Sequence, residues 1–172
     1  MFKRVIRFFV LLGILPVVSC HSQVNDTKAK IDRQPAVAGS FYPADKNELQ
    51  TMLQGFFADA PPAKGKQPLA IIVPHAGYVF SGSVAAASYK QFDPNKKFKR
   101  IFIIASSHTE YFEGVSVYCQ GGFITPLGTV PVDTLAQNFH QQNSFINDNP
   151  KPHLKEHSIE VQLPLIQYYF EE

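Results

Sequence analysis

The chain has 172 residues, 45% of them hydrophobic, enough to close one domain around a real core. Its 16 Lys and Arg nearly balance 14 Asp and Glu, and no basic run interleaves with aromatics, which argues against nucleic acid as a partner. Of its two cysteines, Cys20 closes the leader, which leaves Cys119 alone in the body of the chain and no intrachain disulfide expected.

The chain opens MFKRVIRFFVLLGILPVVSC. Lys3, Arg4 and Arg7 precede an apolar run at 8–18 that is too short to span a bilayer, so residues 1–19 read as a secretory signal. Val17-Val18-Ser19-Cys20 resembles the bacterial lipobox. That resemblance implies cleavage before Cys20, lipid on its sulfur and a membrane-anchored lipoprotein of the cell envelope; plain secretion is the alternative. Residues 20–32 are polar and aperiodic and read as a flexible tether, with a single domain over 33–172.

Within the domain, Asp45 and Glu48 have capping-box spacing, and Leu49, Met52, Leu53, Phe56 and Phe57 then recur on one helical face. LAIIV at 69–73 is a continuous apolar, β-branched run of the kind that suits a strand covered on both faces. The loop PHAGYVFSG follows, where Gly77 and Gly82 permit tight turns, and then a helix in SVAAASYKQF. RIFIIA at 100–105 is a second buried strand, completing a βαβ unit. GVSVYCQ alternates weakly and reads as a strand, and FITPLGTVPVD reads as a hairpin or an excursion with Pro126-Leu127-Gly128 at its turn. Asp133 caps a helix in TLAQNFHQQ, NSFINDNPKP is a loop, and a last helix carries Ile159, Leu163 and Ile166 with a kink at Pro164. The fold class is therefore α/β with a central, largely parallel sheet.

Ligands of open α/β sheets bind just outside the carboxyl ends of the strands. His75 and His108 each follow one of the two buried runs, so they are expected to meet on one rim, with His157 approaching from the start of the last helix. Neutral imidazole is the common ligand of zinc, copper and iron. Glu110, Glu156 or Glu160 could add the carboxylate of a two-histidine, one-carboxylate iron site. His140, among glutamines, and His153, in a Pro/Lys loop, read as bystanders. Tyr42 and Tyr78 read as core aromatics with a polar tip, and Cys119 as a small buried hydrophobe. Ser81, Ser106 and Ser107 are hydroxyls without a GxSxG elbow.

AVAGSFYPAD, VPHAGYVFSG, ASSH, FITPLGTVPVD and EHSIEVQLPLI, in that order, resemble the Memo family, whose bacterial members are called AmmeMemoRadiSam system protein B. The resemblance implies a layered α/β sandwich with a mixed sheet, similar to class III extradiol dioxygenases. It implies iron or copper at His75, His108 and His157, with His157 also the catalytic acid/base. A small aromatic or a peptide is the implied ligand. Family members continue past the QLPLIQYY helix into a stretch that contributes to the metal site. This sequence stops at Glu172, so the domain and its site are expected to be C-terminally incomplete. Three functions follow as expectations: a metal-dependent oxidoreductase, a metal- or peptide-binding module without turnover, or an inactive fragment.

Overall fold

The structure, a computed structural model, describes residues 30–170. The leader, Cys20 and residues 21–29 lie outside the described residues. The segment read as a tether joins the fold at its end: Ile31 N–H bonds Gln120 O, and the Asp32 carboxylate accepts the Gly122 N–H at 2.6 Å.

Helix α1, Lys46–Asp59, starts at Asp45, whose carboxylate accepts the N–H groups of Asn47 and Glu48 at 2.8 and 3.0 Å. Its buried stripe is Leu49, Leu53 and Phe57, with Met52 and Phe56 half-buried beside it. Helix α2, Tyr78–Tyr89, begins earlier than its alanine-rich stretch suggests. Tyr78 N–H bonds Phe41 O, Ser81 N–H returns to Gly77 O, and Gly77 takes the cap position. Gly82 therefore lies inside a helix and not in a turn. Its lack of a side chain serves packing: a Cβ there would stand 2.3 Å from a ring carbon of Phe56 on α1. Tyr42, Tyr78, Tyr89, Val161 and Leu165 complete this main core.

The two β-branched runs differ from expectation. Residues 69–73 and 100–105 form no regular secondary structure, and among the described residues neither joins a sheet. Ile71 and Val73 pack on the main core, and Ile103 on a second cluster around Tyr118, Phe123 and Leu163. The opposite faces are open: Ile72 is 99% exposed and Ile104 94%. The pattern called for cover on both faces, and the described residues supply it on one.

The sheets that do form are small. β1, Val115–Ser116, pairs in parallel with β4, Ile146–Asn147, a segment that reads as loop in the sequence. β2, Phe123–Thr125, and β3, Gly128–Val130, form the expected antiparallel hairpin, closed between Thr125 and Gly128. The class is α/β, with one parallel and one antiparallel pair; the expected central sheet is not formed among the described residues.

The N-cap of helix α3, Leu135–Gln142, is Thr134, one residue after the expected Asp133; Asp133 accepts the Leu135 N–H at 2.8 Å and holds the Arg100 guanidinium at 2.7 Å. The short helix α4, Lys151–Leu154, falls where a loop was expected. A 3-10 turn, Glu160–Gln162, then leads into α5, Leu163–Tyr169. Pro164 sits in the first turn of α5, where a missing N–H costs no helical bond, so it starts the helix instead of kinking it. No helix among the described residues is long and apolar enough to cross a membrane.

Candidate metal centre

Three connections converge on one spot, and each is tied down by a side chain from another element. The His75 loop is held by Gln162, whose amide donates to Pro74 O at 3.0 Å, and by Ser81, whose hydroxyl donates to Ala76 O at 2.9 Å. The His108 loop is held by Ser158, whose hydroxyl donates to Ser106 O at 3.1 Å. His157 lies in the turn before the 3-10 segment and accepts the Val161 N–H on its carbonyl. Its ring stands 4.8 Å from the Phe41 ring.

The three imidazoles meet, as expected, though not at the ends of paired strands. Ring centroids are 5.2 Å apart for His75 and His108, 5.8 Å for His75 and His157, and 4.7 Å for His108 and His157. One nitrogen from each ring can be chosen so that all three lie within 4.8 Å of one another. His75 and His157 are half-buried and His108 is exposed, so the group opens to solvent on one side. They meet although the two runs that lead to His75 and His108 are not paired. The side-chain bonds to Pro74, Ala76 and Ser106 do the placing that a ladder was expected to do.

Glu156, a candidate carboxylate ligand in the sequence, has another place. One carboxylate oxygen lies 2.9 Å from His108 Nδ1 and accepts the N–H groups of His157 and Ser158, each at 2.9 Å; the other accepts the His108 N–H. Burial opposes its charge, but these donors outweigh burial and hold the carboxyl down to about 2. Burial, with the His108 and His75 rings adding to it, pulls His157 below the usual histidine range against the attraction of Glu156. Neutral imidazole is the form that binds metal.

Glu160 also serves elsewhere. It pairs with the buried Arg33 guanidinium, accepts the Tyr42 hydroxyl at 2.6 Å, and accepts the N–H groups of Ala36 and Val37. Arg33 further donates to the carbonyls of His153 and Glu156. Glu110 is exposed and outside the histidine group, so among the described residues that group contains three imidazoles and no carboxylate. Arg33, the first residue of the expected domain, carried no periodic signal that it would be buried. The one hint was the pair of glutamates flanking His157 in EHSIE, too many carboxylates for one ligand position.

The bystanders stay apart from the group. His153 is buried, with Nε2 3.1 Å from Ser116 Oγ, and burial lowers its pKa. His140 lies 3.9 Å from Asp148. Tyr78 donates its hydroxyl to Val161 O, a polar tip on a buried ring as expected. Cys119 is half-buried, and burial raises its thiol pKa. The Ser81 hydroxyl is spent on Ala76 O, and Ser107 accepts the Glu110 N–H.

Fold and site define an α/β protein in which three loops bring three histidines together. The profile of the Memo-like protein family matches residues 33–172. A MEMO1 family protein of Aquifex aeolicus is 39% identical over 137 residues, covering 80% of this chain and 50% of its own length. One of Saccharolobus solfataricus is 40% identical over 151 residues, covering 81% and 53%. One of Methanobrevibacter smithii is 39% identical over 148 residues, covering 80% and 52%. The chain belongs to the Memo family. It spans about half the length of the curated relatives it matches.

Proposed function

We propose that this chain binds one first-row transition metal, iron or copper, through His75, His108 and His157. The observation that carries the reading is the convergence of three ring nitrogens to within 4.8 Å. Two nitrogens on one ion at bonds of about 2.0–2.1 Å stand about 3.3 Å apart, so small side-chain rotations close the remaining gap. The donor set fits: imidazole suits iron and copper, and burial favours the neutral form of His157. Three protein ligands with an open side are the pattern of a working centre, since structural sites close all positions.

Iron or copper held there would supply redox and Lewis-acid chemistry, which makes an oxidoreductase acting on a small aromatic the fuller reading. In that reading the ion rests on His75 and His108, and His157, the half-buried ring against Phe41, leaves the ligand set to act as the acid/base. The test is calorimetric titration of the metal-depleted full chain with Fe(II) and with Cu(II), beside His75→Ala, His108→Ala and His157→Ala. One ion per chain, weakened in each variant, is expected. Stoichiometric binding that survives all three substitutions would overturn the site. An oxygen-uptake screen with catechols then separates turnover from binding alone.

A further inference from the structure

We propose that Glu156 is a positioning residue of this site: its carboxylate fixes His108 with the proton on Nδ1, so that Nε2 is the nitrogen offered to a metal ion. The proposal rests on the metal-site reading above and adds which nitrogen binds and what selects it.

The geometry leaves Glu156 little freedom. Its side chain is 6% exposed. One oxygen is 2.9 Å from His108 Nδ1 and 3.5 Å from His157 Nδ1. The same carboxylate receives the backbone N–H groups of His108, His157 and Ser158. Those bonds tie the His108 loop to the His157 turn, and the two rings lie within 28° of parallel, 4.7 Å apart.

An ionised carboxylate only accepts hydrogen bonds. A ring nitrogen that bonds it must therefore carry the hydrogen, and in a neutral imidazole the other nitrogen then keeps its lone pair. For His108 this makes Nδ1 the donor and Nε2 the free base. His157 Nδ1 faces the same oxygen at longer range, so its tautomer is biased the same way and less strongly. Turning Glu156 into a ligand would pull its two oxygens away from three backbone donors, two on one oxygen and one on the other. The carboxylate thus acts through the imidazoles, as partners behind metal-bound histidines commonly do.

A purely structural role, joining two loops, needs only the backbone N–H bonds and not the bond to the His108 ring, and so predicts no tautomer preference. Imidazole nitrogen shifts from long-range proton–nitrogen NMR of the full chain without metal, above the histidine titration range, separate the two. The wild type should show His108 with a protonated Nδ1 and an unprotonated Nε2. In Glu156→Gln the His108 tautomers should become mixed, and calorimetric Zn(II) affinity should fall about 10–100-fold. Finding the His108 proton on Nε2 in the wild type overturns the proposal, and that measurement does not depend on how well the variant folds. An affinity loss in a folded Glu156→Gln with unchanged tautomers also overturns it, because the carboxylate would then act by holding the loops alone. If His75→Ala, His108→Ala and His157→Ala leave Zn(II) binding intact, the metal reading fails while the tautomer result stands.

Discussion

Arg33 and Glu160 lie 127 positions apart and form an ion pair in which each side chain is about 1% exposed. The pair joins the first described segment of the chain to the turn that follows His157. Removing one partner leaves the other charged, buried and unpaired, which is far costlier than losing a surface bridge. Arg33→Ala should lower stability by about 3–5 kcal/mol, read from urea denaturation midpoints, and Arg33→Lys should recover only part. A loss under about 1 kcal/mol would mean that water reaches Glu160.

Glu156 makes an acid limb. Its carboxyl is depressed in the folded protein to about 2, from 4.5 in the reference state. The sign follows: its contribution is full above about 4.5, falls with pH below that, and is gone near 2. Denaturation free energies measured from pH 6 down to pH 3 should fall more steeply in the wild type than in Glu156→Gln. Parallel slopes would show that the carboxylate is not held by its donors.

Gly114 has φ +81°, and a Cβ there would meet the Phe145 carbonyl oxygen at 2.2 Å, beside the β1–β4 pair. Gly114→Ala should cost about 1–3 kcal/mol through left-handed strain alone, with the clash added. Gly55, inside α1, has nothing within 4 Å of the corresponding position. Gly55→Ala should instead stabilise by about 1 kcal/mol through helix propensity. Thermal melts of the two variants should move in opposite directions.

Ile72 and Ile104 present open apolar side chains on segments that no sheet among the described residues has recruited. Exposed apolar surface of this kind invites association with other chains. The protein should self-associate in light scattering at concentrations where the paired substitution Ile72→Lys with Ile104→Lys stays monomeric. Equal scattering from both would clear these faces of the role.

We propose lipid attachment at Cys20 from the VVSC motif. Growth with a fatty-acid probe in a bacterial host should label the wild type and spare Cys20→Ser, and equal labelling would refute the anchor.

What the sequence told depended on the range of the interactions that decide each element. Asp45 could be assigned as a cap because a cap bonds residues two or three positions away. The hairpin around Leu127 was legible for the same reason. Asp133 was placed one residue early, the cap falling on Thr134. Residues 69–73 carry the composition of a strand, but a strand also needs a partner, and composition does not name one. The β1–β4 pair failed in the opposite sense: Ile146 sits in a polar stretch whose parallel partner lies far back in the chain. At the site, the position of His75 and His108 after two apolar runs pointed to the right pair, but what brings them together is side-chain bonding to Pro74, Ala76 and Ser106, not strand pairing. The role of Glu156 was not legible, because a ligand and a clamp have the same side chain and differ only in where the carboxylate points.

The three imidazoles belong to three separate connections, each placed by the folded chain. An ion bound to all of them would be a cross-link that closes two long loops, one from His75 to His108 and one from there to His157. In the unfolded chain those loops are open, and gathering their ends costs entropy that grows slowly with length. Binding free energy would therefore appear as resistance to unfolding. Metal free at a hundred times its dissociation constant would add about 2.7 kcal/mol. The melting temperature would then track metal supply, and a chelator would act on this fold as a mild denaturant.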